Sequence, residues 1–150
     1  MGDLTAHFDI KEFFVSRDFP HLIDWLVPSE LDRLKCYILA KTILEPLREK
    51  AGPIKILSGR RTEELNNRIG GAKNSDHLFW GSAAACDISC ENSLMAYNDL
   101  RFLTPSSFGQ IIFYPGKNFI HISLPTEKHQ GERLVCPKSV TYVLEKDFKP

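Results

Sequence analysis

Gln110-Ile111-Ile112-Phe113-Tyr114-Pro115-Gly116-Lys117-Asn118-Phe119-Ile120-His121-Ile122-Ser123-Leu124 is the stretch whose reading decides the fold. Two apolar runs flank Pro-Gly-Lys-Asn, a strong turn signal, so the segment predicts an antiparallel hairpin. In the second run His121 alternates with Ile120 and Ile122 and must face away from them. One side of this strand therefore belongs to a core, and the other presents an imidazole.

Upstream of the hairpin the signals are mostly helical. Ser29 is a good N-cap, and Glu30 and Asp32 suit the positive end of a helix. Leu31, Leu34, Ile38 and Leu39 keep helical spacing and predict the buried stripe. Pro46 is expected to kink or end this helix, and Ala51-Gly52-Pro53 to stop it. Ile54–Leu57 reads as a short strand. Thr62 caps a brief helix to about Arg68, terminated by Gly70-Gly71. Ala83–Ile88 reads as a buried strand, Asn92 or Ser93 as the cap of a helix over Leu94–Leu103, and Val140–Leu144 as a last strand at a sheet edge. Residues 1–28 form an irregular arm with one short helix capped by Asp9 and Glu12, pinned by Phe8, Phe13, Phe14, Trp25 and Leu26. Helices first and strands later give an α+β class: a small antiparallel sheet with helices packed on one side. The 150 residues suit one domain.

Bulk properties exclude some functions. Lys plus Arg and Asp plus Glu both number 19, so the net charge is zero. That balance argues against a nucleic-acid partner. No apolar run approaches the roughly 20 residues that span a bilayer, which argues against membrane insertion. The first residues carry acid and no apolar signal core, so synthesis is expected in the cytoplasm. Cys36, Cys86, Cys90 and Cys136 form no C-x-x-C pair and read as buried thiols. Cys86 and Cys90 with His77 are an alternative donor set for a metal, although structural zinc sites favour paired cysteines.

The chemistry concentrates in three stretches: Ser58 to Asn66, Gly70 to Ile88, and Phe119 to Leu124. His77 lies in a Gly-, Asn- and Ser-rich loop. Asp87 lies in an apolar run, where a buried carboxylate needs a cation, a metal or several donors. Two imidazoles and one carboxylate, His77, His121 and Asp87, are a usual catalytic zinc set, and such a set leaves one position open for water. The competing reading is structural: a strand histidine that packs, and an Asp87 paired with Arg60 or Arg61.

Ser58-Gly59-Arg60-Arg61, Leu65-Asn66, Gly70-Gly71-Ala72-Lys73-Asn74-Ser75-Asp76-His77, Gly81 through Asp87-Ile88, and Phe119-Ile120-His121-Ile122-Ser123 follow one another in an order that resembles the zinc D-alanyl-D-alanine carboxypeptidases of the M15 peptidase type, in particular their short phage-like and bacterial branch with the hedgehog/DD-peptidase fold. The likeness runs over roughly residues 4–124. It implies Zn²⁺ held by His77, Asp87 and His121. It implies that Arg61 holds or polarises the substrate, with Arg60 beside it, and that Ser75 orients the loop or a ligand. Arg suits carboxylate binding because its planar fork pairs two oxygens at once. The implied reaction is hydrolysis of a peptide bond in peptidoglycan stem peptides, after release to the cell wall, as in a phage lysis enzyme. The implied protein is a monomer.

Two departures qualify the resemblance. The spacing from His77 to Asp87 is longer than in the family. The extra length falls in Leu78-Phe79-Trp80 and Ala83-Ala84-Ala85, and places Phe79 and Trp80 either in a substrate groove or in the core. The second departure concerns the general base. The family carries an acid shortly before the last zinc histidine, whereas Arg101 through Thr126 holds no Asp or Glu. Asn118 and Tyr114 stand where that acid is expected, and Gly109 replaces another. Asn is no base at neutral pH and Tyr titrates near ~10, which leaves Glu127 or His129 beyond the strand as substitutes. The alternative function is a catalytically impaired member that holds zinc as a wall-peptide or protein-binding module. A structural domain of a phage particle or secretion device is a third reading.

Overall fold

Ser29 accepts a hydrogen bond from the Asp32 amide at 3.0 Å, and Asp32 accepts one from the Ser29 amide at 3.3 Å. This reciprocal cap starts α1 (Glu30–Leu39). The structure, a computed structural model, describes residues 2–138 and 141–144. From α1 the chain runs through a π turn over Ala40–Leu44 directly into α2 (Glu45–Ala51). Pro46 thus does not end the helical path. It sits in the first turn of α2, where the wide turn has already displaced the regular ladder and its missing N–H breaks no ordinary bond.

The buried side of this long segment is not the stripe that the spacing suggests. Leu39 is buried, but Leu31 is 56% exposed and Leu34 53% exposed, and Ile38 lies outside the core. Cys36, Leu39, Ala40, Ile43, Leu44 and Leu47 are buried instead. The segment carries apolar residues on two sides, and the small side chains of Cys36 and Ala40 let one of them approach the core most closely.

The remaining elements are β1 (Lys55–Ser58), α3 (Glu63–Arg68), β2 (Ala85–Ser89), α4 (Ser93–Asp99), β3 (Gln110–Tyr114), β4 (Phe119–Ser123), β5 (Glu132–Lys138) and β6 (Thr141–Leu144). The Thr62 hydroxyl caps α3 through the Leu65 amide, and Asn92 caps α4 through the Met95 amide. Among the described residues six strands form one sheet in the order β1-β2-β4-β3-β5-β6. The class is α+β, as the element order predicts. The sheet is mixed rather than wholly antiparallel, because β5 pairs with β3 in parallel, Gln110 opposite Glu132. β6 stands at the edge of the described sheet, where the strand expected over Val140–Leu144 is placed, with Val140 itself outside the described residues.

Alternation divides the sheet into two faces. Cys86, Ile88, Ile111, Phe113, Ile120, Ile122 and Val135 join the helices in the core. Phe8, Ile10, Phe13 and Phe14 of the N-terminal arm enter it too. Glu45 fastens that arm to α2: its carboxylate accepts from Thr5 Oγ1 at 2.7 Å and from the His7 amide at 2.8 Å. Trp25 does not pin the arm; it is 63% exposed. Across β2, β4 and β3, Asp87 stands opposite His121 and His121 opposite Ile112. These three share the face turned away from the core. Among the described residues no helix is long and apolar enough to cross a membrane.

Candidate metal centre

The β2–β4 register sets two of the candidate ligands side by side. Directly opposed residues of an antiparallel pair hold their Cβ atoms about 4.5–5.5 Å apart, and His121 Nδ1 lies 2.9 Å from Asp87 Oδ1. The third comes from the loop after α3. Ser75 Oγ accepts from the His77 amide at 3.2 Å and starts a 3-10 turn over Asp76–Leu78, while the His77 carbonyl accepts from the Arg61 amide at 2.8 Å. His77 Nε2 then lies 3.3 Å from Asp87 Oδ1 and 3.2 Å from His121 Nδ1.

The two separations from His77, 3.3 and 3.2 Å, fit a tetrahedral ion, and the 2.9 Å pair of His121 and Asp87 is slightly tighter. Zinc bonds of about 2.0–2.1 Å to nitrogen or oxygen put the edges of the tetrahedron at roughly 3.3–3.4 Å. The protonation pattern fits as well. His77 Nδ1 donates to the Gly59 carbonyl at 2.7 Å, so in the neutral ring Nε2 carries a lone pair. That lone pair faces a carboxylate oxygen, which also only accepts. Two acceptors at this distance inside the protein call for a cation between them. Burial pushes the His77 pKa below its ordinary value, and keeps the ring in the neutral form that a metal needs. Burial alone would raise the Asp87 carboxyl, but His77 and His121 hold it well below the usual carboxylate range. His77, Asp87 and His121 are thus a group able to hold a metal.

Arg61 braces the carboxylate from behind. Its Nη2 lies 3.3 Å from Asp87 Oδ2, Nη1 donates to Asn66 Oδ1 at 3.3 Å, and Nε donates to Ser58 Oγ at 3.2 Å. Asn66 is buried and its Nδ2 donates to the Ala72 carbonyl at 2.8 Å. Gly71 passes so close that a Cβ there would fall 2.0 Å from Asn66 Oδ1, which explains a glycine at this point of the loop. The bracing role of Asn66 is legible in sequence only through the Leu65-Asn66 motif, since its partner lies in space and not in spacing.

The three candidate ligands open onto a cavity of about 370 Å³, walled also by Arg61, Ser75, Asp76, Gln110, Tyr114 and His129. Arg61, Ser75 and Tyr114 thus share one cavity with the candidate ligands, with the Tyr114 ring stacked on Phe119 at 4.3 Å between centroids. Asn118 does not line this cavity. It is exposed in the β3–β4 turn with φ of 51°, and its carbonyl accepts from Ser93 Oγ. Arg60 is also turned away: its Nε lies 3.8 Å from Asp32 Oδ1 on α1, and its guanidinium sits over the Phe79 ring. Phe79 is a core residue in left-handed backbone, its carbonyl held by the buried Lys35 ammonium at 2.7 Å. Trp80 is exposed and lines a second cavity of about 430 Å³, which shares Asn74, Ser75 and Asp76 with the first. Cys86 points into the core and offers no donor to the site.

Two positions bear on the missing base. Gly109 has no room for an acid, since a Cβ there would lie 2.4 Å from the Leu124 carbonyl oxygen. Glu127 lines the second cavity, whereas His129 lines the first.

A family model described as Peptidase M15 matches residues 25–123. Comparison with curated proteins and with solved structures gives no match.

Proposed function

The chain belongs to the peptidase M15 family, and from that premise we propose that it is a zinc metallopeptidase that hydrolyses peptidoglycan stem peptides, as a D,D-carboxypeptidase or endopeptidase. The observation that carries this reading is the convergence of His77 Nε2, Asp87 Oδ1 and His121 Nδ1 beneath an open cavity. Bound there, zinc would lower the pKa of a water and polarise the scissile carbonyl. The chain's own groups do the rest. Arg61 spends three N–H groups on Ser58, Asn66 and Asp87. The other two of a guanidinium's five remain for the terminal carboxylate of a peptide. Ser75 fixes the loop that presents His77, and Tyr114 closes one wall beside the scissile bond. Trp80, on the adjoining cavity, would contact a longer stretch of the wall peptide. On this reading the enzyme acts on the cell wall after release, as a monomer.

The test is direct. Zinc-loaded protein is incubated with a stem peptide ending in D-Ala-D-Ala, and release of D-alanine is followed. Turnover should vanish on chelation and in His121→Ala; turnover that survives either refutes the site.

A second reading, a zinc-holding module that binds wall peptides or a protein without cutting, draws support from the cavity wall. Among the described residues its carboxylates are Asp76 and Asp87, and Asp87 is already engaged. Peptide binding at one zinc per chain, with neither D-alanine release nor cleavage of a cross-linked stem-peptide dimer, would establish it.

A further inference from the structure

The wall of the metal cavity holds one more prepared side chain. His129 faces the same space as His77, Asp87 and His121. Its Nδ1 lies 2.9 Å from Glu132 Oε1, and the other oxygen of Glu132 accepts from Gln110 Nε2 at 3.1 Å. Gln110 and Glu132 are register partners on β3 and β5, so the carboxylate is anchored by the sheet itself. The backbone of His129 is fixed too: its amide donates to Thr126 Oγ1 at 3.1 Å and its carbonyl accepts from the Thr126 amide at 2.9 Å. With Nδ1–H committed to Glu132, the lone pair of a neutral ring sits on Nε2. Asp76, the rival carboxylate on this wall, lines both cavities, and among the described residues its side chain has no hydrogen-bond partner that fixes it there.

We propose that His129, oriented by Glu132, is the proton-transfer residue of this enzyme, replacing the acid that the segment before His121 lacks. The inference rests on the hydrolytic reading above. In the reaction, the water oxygen forms its bond to the scissile carbonyl carbon as its proton passes to His129 Nε2. The same proton then goes to the amide nitrogen as the C–N bond breaks, so a carboxylic acid and an amine form, the acid gives its remaining proton to solvent as it leaves, and His129 returns neutral. Glu132 is a positioning residue: it holds the tautomer and steadies the imidazolium that forms between the two transfers.

Four variants and two readouts test this. The first readout is kcat and KM of zinc-loaded protein on the D-Ala-D-Ala stem peptide, with zinc content measured alongside. His129→Ala should lower kcat about 10²–10⁴-fold, with KM and one zinc per chain kept. Glu132→Gln should fall by a smaller factor, Glu132→Asp should recover part of it, and Asp76→Asn should lose less than His129→Ala. The second readout needs no activity. Long-range ¹H–¹⁵N NMR of the metal-free protein should find the His129 proton on Nδ1, and Glu132→Gln should disturb that state. Near-normal kcat in His129→Ala, a loss that falls on Asp76→Asn instead, or a proton on Nε2 each overturns the dyad alone. No turnover by wild type with zinc bound overturns the dyad and the hydrolytic reading together.

Discussion

Arg61 Nη2 lies 3.3 Å from Asp87 Oδ2, the carboxylate oxygen opposite the one that faces the two imidazoles. Arg61 thereby braces the outer oxygen of Asp87 and leaves Oδ1 turned toward the metal position. Groups behind a ligand typically change metal affinity or activity by about 10–100-fold when removed. Arg61→Ala should loosen zinc by about that factor, measured by competition with a chelating dye. Arg61→Lys keeps the charge but not the fork; it should hold zinc better than the alanine variant and still lose peptide affinity. Equal zinc affinity in all three proteins would sink the bracing role.

Zinc should stabilise the fold. A ligand present at 100 times its dissociation constant adds about 2.7 kcal/mol, and for a chain of this size each kcal/mol moves Tm by about 2–4 °C. A rise of roughly 5–10 °C on loading is expected by calorimetry, reversed by chelation and absent in His121→Ala. A Tm indifferent to zinc in the wild type would mean that the three side chains hold no ion.

Asn118 separates two roles by experiment. It adopts φ of 51° in the β3–β4 turn, where a residue with a Cβ is strained and glycine is not. Asn118→Gly should leave stability and turnover close to wild type, while Asn118→Ala should cost about 1 kcal/mol in urea unfolding and keep kcat. A large loss of kcat in the glycine variant would return Asn118 to the catalytic machinery.

The local chemistry of the chain was legible where one residue decides one feature. Ser29, Thr62 and Asn92 cap the helices they were expected to cap, and Pro115–Asn118 makes the hairpin turn. The face of β4 that carries His121 also follows from alternation alone. What failed depended on choices made in three dimensions. Apolar residues lie on two sides of the segment from Glu30 to Ala51, and spacing cannot say which side the core takes. β5 starts with two charged residues, contains Pro137, and pairs in parallel with a strand far away in sequence. That pairing sets Glu132 beside Gln110 and turns an ordinary-looking stretch into the support of His129. Arg60 and Arg61 are neighbours in sequence, yet alternate backbone directions send one to α1 and the other to Asp87.

Thiol chemistry should report the core. Burial pushes the Cys36 thiol up to about 12, and pushes Cys86 well above its ordinary value. The thiolate is the reactive form. In native protein, iodoacetamide should label the half-buried Cys90 first and leave Cys36 and Cys86 unmodified until denaturant is added, as read by mass spectrometry. Fast native labelling of Cys36 would contradict its place on the buried side of α1.

The apo-protein should lose stability toward mild acid, and His77 sets where. Burial holds its pKa below the ordinary value near ~6.5. Above that pH both the folded and the unfolded chain carry a neutral ring, and the contribution is complete. As the pH falls through ~6.5, the unfolded chain binds a proton that the folded site refuses, so unfolding gains about 1.4 kcal/mol per pH unit until the depressed folded value is reached. Asp87 acts lower on the scale. Its depressed carboxyl gives full stability above the unfolded value near ~3.9, and that is lost as the pH drops further through the folded value. Urea midpoints of metal-free protein should therefore fall between pH 7 and 5, and His77→Gln should flatten that part of the curve. Zinc-loaded protein should fall more steeply, since protons then compete with the metal for the same lone pairs. A flat profile down to pH 5 in the metal-free wild type would show that His77 takes its proton inside the fold, and the convergence of acceptors around Asp87 Oδ1 would no longer call for a metal.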